Sequence, residues 1–266
     1  MSSIPAALIA VPAGVIGLVI GSFLNVVVHR LPRGESIVRP RSHCPGCQST
    51  IRPRDEVPVV SWLLLRGRCR DCSAPIGGRY PLVELLTAAI FVVLALRFGA
   101  SAALPAYLYL GAVGVALAVI DFDTKRLPDV LTLPSYGVGL ALLGLATLLS
   151  NDIDTATLVR GLIGLVAMWT LYLVLRLAYP QGMGFGDVKL AGVLGLYTAF
   201  LGWGAWTVGL FAGFFLGGIV SIGLVLAGRA GRKSKIPYGP FMLVGALVAV
   251  VAGQSLASAY LALTVS

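Results

Sequence analysis

The stretch Gly182-Met183-Gly184-Phe185-Gly186-Asp187-Val188-Lys189 opens an apolar run that continues to Ala227. That run is about twice the ~20 residues one membrane-spanning helix needs, and Gly202-Trp203-Gly204 divides it into two helices. The glycines at 182, 184 and 186 let the backbone bend sharply and approach another segment closely. Asp187 stands where the first of the two helices begins. A carboxylate carried to mid-bilayer costs about 2.5–3.5 kcal/mol, so an acid at a span edge is a functional candidate once it has a partner.

The rest of the chain reads the same way. Its 266 residues are 58% hydrophobic and 12% charged, with a mean hydropathy of +0.92. A soluble domain of this length could not cover so much apolar surface, whereas lipid can. Further runs lie at about Ile4–Val28, Leu82–Phe98, Ala102–Ile120, Leu131–Leu149, Leu158–Tyr179 and Phe241–Leu263. The expectation is an all-α, polytopic membrane protein of about eight transmembrane helices in the lipid bilayer. Met1 to Ala10 has neither a basic start nor a small-residue cleavage site and reads as the start of a retained helix.

Counting crossings puts Arg30–Arg79, Asp121–Asp129, Gly182–Asp187 and Gly228–Pro237 on one side. Eighteen of the 20 basic residues lie in or beside these segments, ten of them in Arg30–Arg79. Arg97 and Arg160 flank the other side, with Asp152 and Asp154. The positive-inside rule makes the basic side cytoplasmic. The net charge of +9 is therefore read as topology and not as a nucleic-acid surface. The expected organisation is a first transmembrane helix (1–29), a cytoplasmic loop (30–80) and a seven-helix membrane core (81–266).

Asp121 ends the apolar stretch Leu110–Ile120 and so mirrors Asp187 at the same membrane boundary. Two carboxylates flanking one water can hydrolyse an amide, the ionised one taking a proton while the protonated one gives one to the carbonyl oxygen. Helix polarity favours negative charge at the helix start, Asp187, over the helix end, Asp121. Asp129, after Pro128, is placed to cap the fourth span. Cys44, Cys47, Cys69 and Cys72 form two Cys-x-x-Cys pairs separated by 21 residues. Four thiolates suit a closed, structural zinc site, and a cytoplasmic placement disfavours disulfides.

These residues resemble a known family. Gly184-Phe185-Gly186-Asp187 is the Gly-x-Gly-Asp signature of intramembrane aspartyl proteases. Ile120–Asp129 resembles the first aspartate motif of bacterial type IV prepilin peptidases. Gly21–Val26 with His29–Pro32, Tyr80–Glu84, Ile236–Phe241 and the double Cys-x-x-Cys loop match the same family in order. The resemblance implies a membrane endopeptidase that cuts the basic leader from type IV prepilins and pseudopilins, after a glycine, at the cytoplasmic face of the inner membrane. Many members also methylate the new N-terminus with S-adenosylmethionine; the Cys loop is associated with that step, with docking of the leader or ordering of the cytoplasmic face as the alternatives. It makes Asp121 and Asp187 the catalytic pair. Gly182, Gly184, Gly186 and Lys189 then form the active-site loop, and Glu84 binds the substrate amine or pairs with an arginine such as Arg79. A peptidase without methyl transfer is the alternative. A proton-coupled transporter is disfavoured because the acids sit at span ends and not near mid-membrane.

Overall fold

The computed structural model describes residues 6–150, 155–229, 231 and 236–265. Ile4 of the first expected span, Asp152, Asp154 and part of Gly228–Pro237 lie outside the described residues. The helices are α1 (Ala6–Arg30), α2 (Val60–Leu64), α3 (Arg79–Phe98), α4 (Leu104–Thr124), α5 (Asp129–Leu148), α6 (Thr155–Ala178), α7 (Phe185–Leu201), α8 (Trp203–Leu226) and α9 (Gly239–Val265). Among the described residues there is no strand, only two isolated bridges in the loop between α1 and α3. Seven helices are long and apolar enough to cross a membrane.

The expected eighth span is α7, and it differs in kind. Its 17 residues extend about 25 Å at 1.5 Å per residue, less than the ~30 Å of a hydrocarbon core. It begins at Phe185, three residues before the apolar run, so Gly186 and Asp187 are helical. Almost every residue from Asp187 to Ala199 is buried, so other helices and not lipid form its surroundings.

The chain divides into two compact units, Met1–Ala100 with Gly111–Ala116, and Ser101–Leu110 with Leu117–Ser266. In the first, α1 and α3 pack antiparallel through glycines. A Cβ on Gly17 would lie 2.7 Å from Ala88 Cα, and one on Gly21 would lie 2.6 Å from Glu84 Cα. Close approach through small residues is how helices associate where lipid removes the hydrophobic drive.

In the second unit, α7 is packed by α5, α6, α8 and α9. Gly164 on α6 meets Ala199 and Gly195 of α7, and Gly192 of α7 receives the ring of Tyr136 from α5. The Tyr136 hydroxyl donates to the Lys189 carbonyl. At the other end of α7, Gly202 takes φ +143°, a conformation open to glycine. The Arg160 guanidinium donates to the carbonyls of Ala199 at 2.7 Å and Phe200 at 2.8 Å. A cation on the last carbonyls satisfies orphan acceptors and the helix dipole together.

Gly164→Val should lower stability by about 1–3 kcal/mol, the range for overpacking, because its side chain would enter the α7 backbone. No atom lies within 4 Å of a Cβ added at Gly144, so Gly144→Ala should be neutral or gain about 0.5–1 kcal/mol from helix propensity. Thermal unfolding in detergent would separate the two, and equal melting temperatures would contradict this packing.

Candidate active site

Asp121 lies in the last turn of α4 and Asp187 in the first turn of α7. Both are buried, with 4% and 8% of their surface exposed. Asp121 Oδ2 accepts the N–H of Gly239 at 3.1 Å, and Asp187 Oδ2 accepts the N–H of Gly184 at 2.9 Å. The second oxygen of each carboxylate makes no hydrogen bond among the described residues. Gly186, which precedes Asp187, and Gly239, which donates to Asp121, both lie against Leu127, so the structure brings the two sequence-predicted acids into one site.

Leu127 joins their surroundings. A Cβ on Gly186 would lie 2.9 Å from Leu127 Cβ, and one on Gly239 would lie 3.3 Å from Leu127 Cδ2. The side chain thus stands between the glycine preceding Asp187 and the glycine bound to Asp121. Gly239 and Leu127 belong to stretches recognisable in the sequence, yet nothing local to either residue marked this role. Gly182 packs on the ring of Tyr179. The three glycines therefore differ: Gly184 donates to the acid, Gly186 admits Leu127, and Gly182 fits an aromatic ring.

Asp129 is the first residue of α5, and the cap position is held by Pro128. The expected capping role is therefore corrected. Its carboxylate instead receives Lys189 Nζ at 2.7 and 2.8 Å, because Pro128 fixes the chain so that helix begins at Asp129. Lys189 Nζ and the Arg176 guanidinium each lie 4.9 Å from the Phe185 ring centre. Lys189 thus staples α7 to α5.

Glu84, in the other unit, is hydrogen-bonded to Val59 and Ser22 and not to Arg79. Its Oε2 accepts the N–H of Val59 at 2.7 Å, and Ser22 supplies a second hydrogen bond. Val59 has φ +60°, an outlier for a β-branched residue. The carboxylate holds the N–H of that strained turn and so fixes the loop to the start of α3.

The two Cys-x-x-Cys segments are local copies of each other. The N–H of Cys44 donates to Ser49 O, and that of Cys69 to Ala74 O; Gln48 N–H donates to Cys44 O, and Ser73 N–H to Cys69 O. Gln48 and Ser73 both have positive φ, 60° and 59°. The bridges His43–Thr50 and Arg68–Pro75 close each copy at equivalent positions. All four Sγ atoms lie within 4.8 Å of one another, with Cys44–Cys72 at 3.7 Å and Cys47–Cys69 at 4.0 Å. A tetrahedron of 2.3 Å Zn–S bonds has edges of about 3.8 Å, so the donor set fits zinc. Arg70 pairs with Asp55 at 2.6 Å and Arg52 with Asp71 at 3.1 Å. The two residues inside the second copy are thereby tied to the turn at Pro53–Asp55.

Comparison with known proteins now bears on this geometry. A model of the Bacterial Peptidase A24 N-terminal domain matches residues 15–98, and one of the Type IV leader peptidase family matches residues 108–222. The prepilin leader peptidase/N-methyltransferase of Aeromonas hydrophila is 38% identical, over 92% of this chain and 91% of that protein. The protein of the same name from Pseudomonas aeruginosa is 33% identical, over 92% and 91%. A type 4 prepilin-like proteins leader peptide-processing enzyme of Escherichia coli is 40% identical, over 92% and 94%. No solved structure matches the chain.

Four thiolates at tetrahedral spacing lead to an expectation of about one zinc ion per chain, measurable by elemental analysis of the purified protein. Cys44→Ser and Cys69→Ser should each lose most of it, since the local copies contribute equally. Full zinc content in both variants would show that these thiols are not the ligands.

Proposed function

The chain belongs to the type IV leader peptidase family, and from that membership we propose that it is a membrane-embedded prepilin peptidase acting through Asp121 and Asp187. Its substrates are type IV prepilins and pseudopilins, apolar helices anchored in the inner membrane with a basic leader on the cytoplasmic side. Cleavage follows a glycine, where leader meets span. The observation that carries this reading is a pair of buried acids at two helix ends, each held by one backbone N–H and each with an oxygen to spare.

The chemistry follows from that pair. Two carboxylates that interact share one proton and titrate as a unit. The ionised member takes a proton from a water between them as the water attacks the scissile carbonyl. The protonated member gives its proton to the carbonyl oxygen, and collapse of the tetrahedral species delivers a proton to the leaving amine. A substrate backbone in helix has its carbonyls occupied, so the bond must be presented extended, and the glycines at 182, 184 and 186 favour close approach of such a strand.

Methyl transfer from S-adenosylmethionine to the new N-terminal amine is the second proposed activity, supported by the names of the relatives. The loop 30–80, ordered by structural zinc on Cys44, Cys47, Cys69 and Cys72, is assigned to it, and the membrane core 81–266 to cleavage. No Gly-rich dinucleotide fingerprint accompanies the loop. Both regions are assigned to the cytoplasmic face, a reading supported by the positive-inside rule applied to the basic loops.

Asp121→Asn and Asp187→Asn should each reduce prepilin cleavage by at least about 100-fold, the lower range for general acid–base catalysis, with zinc content and melting temperature unchanged. Gly239→Ala should also lose activity, because its Cβ would lie 2.9 Å from Asp121 Oδ2. Normal cleavage by both aspartate variants would overturn the two-acid reading. Mass spectrometry of the product tests methyl transfer separately: an unmethylated N-terminus would leave a peptidase alone.

A further inference from the structure

Tyr172 on α6 and Tyr238, just before α9, place their hydroxyl oxygens 3.2 Å apart. Phe214 of α8 flanks both rings, with centres 5.4 Å from Tyr172 and 5.7 Å from Tyr238. Tyr172 is almost fully buried. A buried hydroxyl pair is common as mutual satisfaction, but here the hydrogens do not balance. Two O–H groups share one hydrogen bond, so one hydrogen is left over. Neither hydroxyl makes a second hydrogen bond among the described residues, and an unused donor inside a membrane protein is costly.

Tyr172 stands on α6, which packs along α7, the helix whose first turn carries Asp187. Moreover, Tyr238 immediately precedes Gly239, whose N–H holds Asp121. One dipeptide therefore holds Asp121 through its backbone and meets Tyr172 through its side chain. We propose that the Tyr172–Tyr238 hydroxyl pair is a positioning element of the peptidase site, its spare O–H directed through one bridging water to the Asp187 carboxylate. This role rests on the two-acid reading above. The donor stabilises the ionised carboxylate and fixes its orientation, while the hydroxyl–hydroxyl bond decides which hydrogen is spare.

The test is steady-state cleavage of a prepilin by the full-length protein in detergent, across pH. Tyr172→Phe and Tyr238→Phe keep the rings that pack on Phe214. Each should lower kcat about tenfold with KM unchanged, the effect of one charge-assisted hydrogen bond. Each should also move the acid limb of the profile up by about one pH unit, since loss of the donor makes the carboxylate harder to ionise. The double variant should be no worse than either single one, because the pair acts as a unit. Other charged or titratable groups at this helix end are Asp121 on α4, Asp129 and Tyr136 on α5, Arg176 on α6 and Lys189 on α7. None is altered, so the shift reports the hydroxyls. Tyr107→Phe is the control: its hydroxyl donates to the Tyr197 carbonyl, and its loss should lower the melting temperature without moving the pH limb. Unchanged kcat and acid limb in either tyrosine variant, with Asp187→Asn inactive, would overturn the proposal. Cleavage by Asp187→Asn would instead defeat the two-acid reading beneath it.

Discussion

A carboxylate buried in a membrane protein must be given a donor, and here both donors are glycine N–H groups. Gly239 serves Asp121 and Gly184 serves Asp187. The choice of residue follows from distance. A Cβ on Gly239 would stand 2.9 Å from Asp121 Oδ2, and one on Gly184 would stand 3.3 Å from Asp187 Oδ2. A side chain at Gly239 would crowd Asp121 off its donor, while one at Gly184 would press on Asp187 more lightly. A single backbone bond also leaves the second oxygen of each acid uncommitted, whereas a full cage of donors would have locked the pair in its ionised form.

Fixing two such bonds requires the helix ends to be immobile, and α7 is built for that. It is too short to behave as an ordinary span, so its position is set by protein contacts. Gly164, Gly192 and Gly195 let neighbouring helices close on its backbone. Arg160 holds its last carbonyls, and Lys189 ties its first turns to Asp129. The polar groups spent on α7 sit at its ends, where the hydrogen-bonding needs of a helix are concentrated.

Much of this was legible in the sequence. Hydropathy gave seven of the spans, and the break at Gly202 was visible as the split of one long run. The two acids stood out because each interrupts an apolar helix at its edge, and the four cysteines because of their spacing. Other parts were invisible for physical reasons. The start of α7 was placed late because Gly186 and Asp187 are poor helix formers in isolation; helix forms there because Asp187 returns a hydrogen bond to Gly184. Asp129 looked like a cap because local pattern cannot fix the helix start to one residue, and its partner Lys189 lies 60 residues away. Local pattern around Glu84 pointed to a cation, and its intramolecular partners, an amide and a hydroxyl, come from segments 25 or more residues away. The repeat within the cysteine loop lies in backbone conformation, with Gln48 and Ser73 as its matching turn residues, and those two side chains share nothing in sequence.

The link from α4 to α5 shows how closely the acid site depends on chain direction. Lys125 ends α4 in a left-handed conformation, φ 54° and ψ 38°, with its N–H on the Asp121 carbonyl at 2.8 Å. That turn costs roughly 1 kcal/mol for a residue with a Cβ, and it ends the helix within one turn of the acid. Pro128, extended at ψ 130°, then starts α5 at once. Between these two fixed points Leu127 has one route, back toward Gly186 and Gly239. Lengthening the link would leave both carboxylates in place on their own helices but remove the side chain that fills the space between their glycines. The two acids come from opposite polarities of helix, and this short, partly strained turn is what lets them share one enclosure.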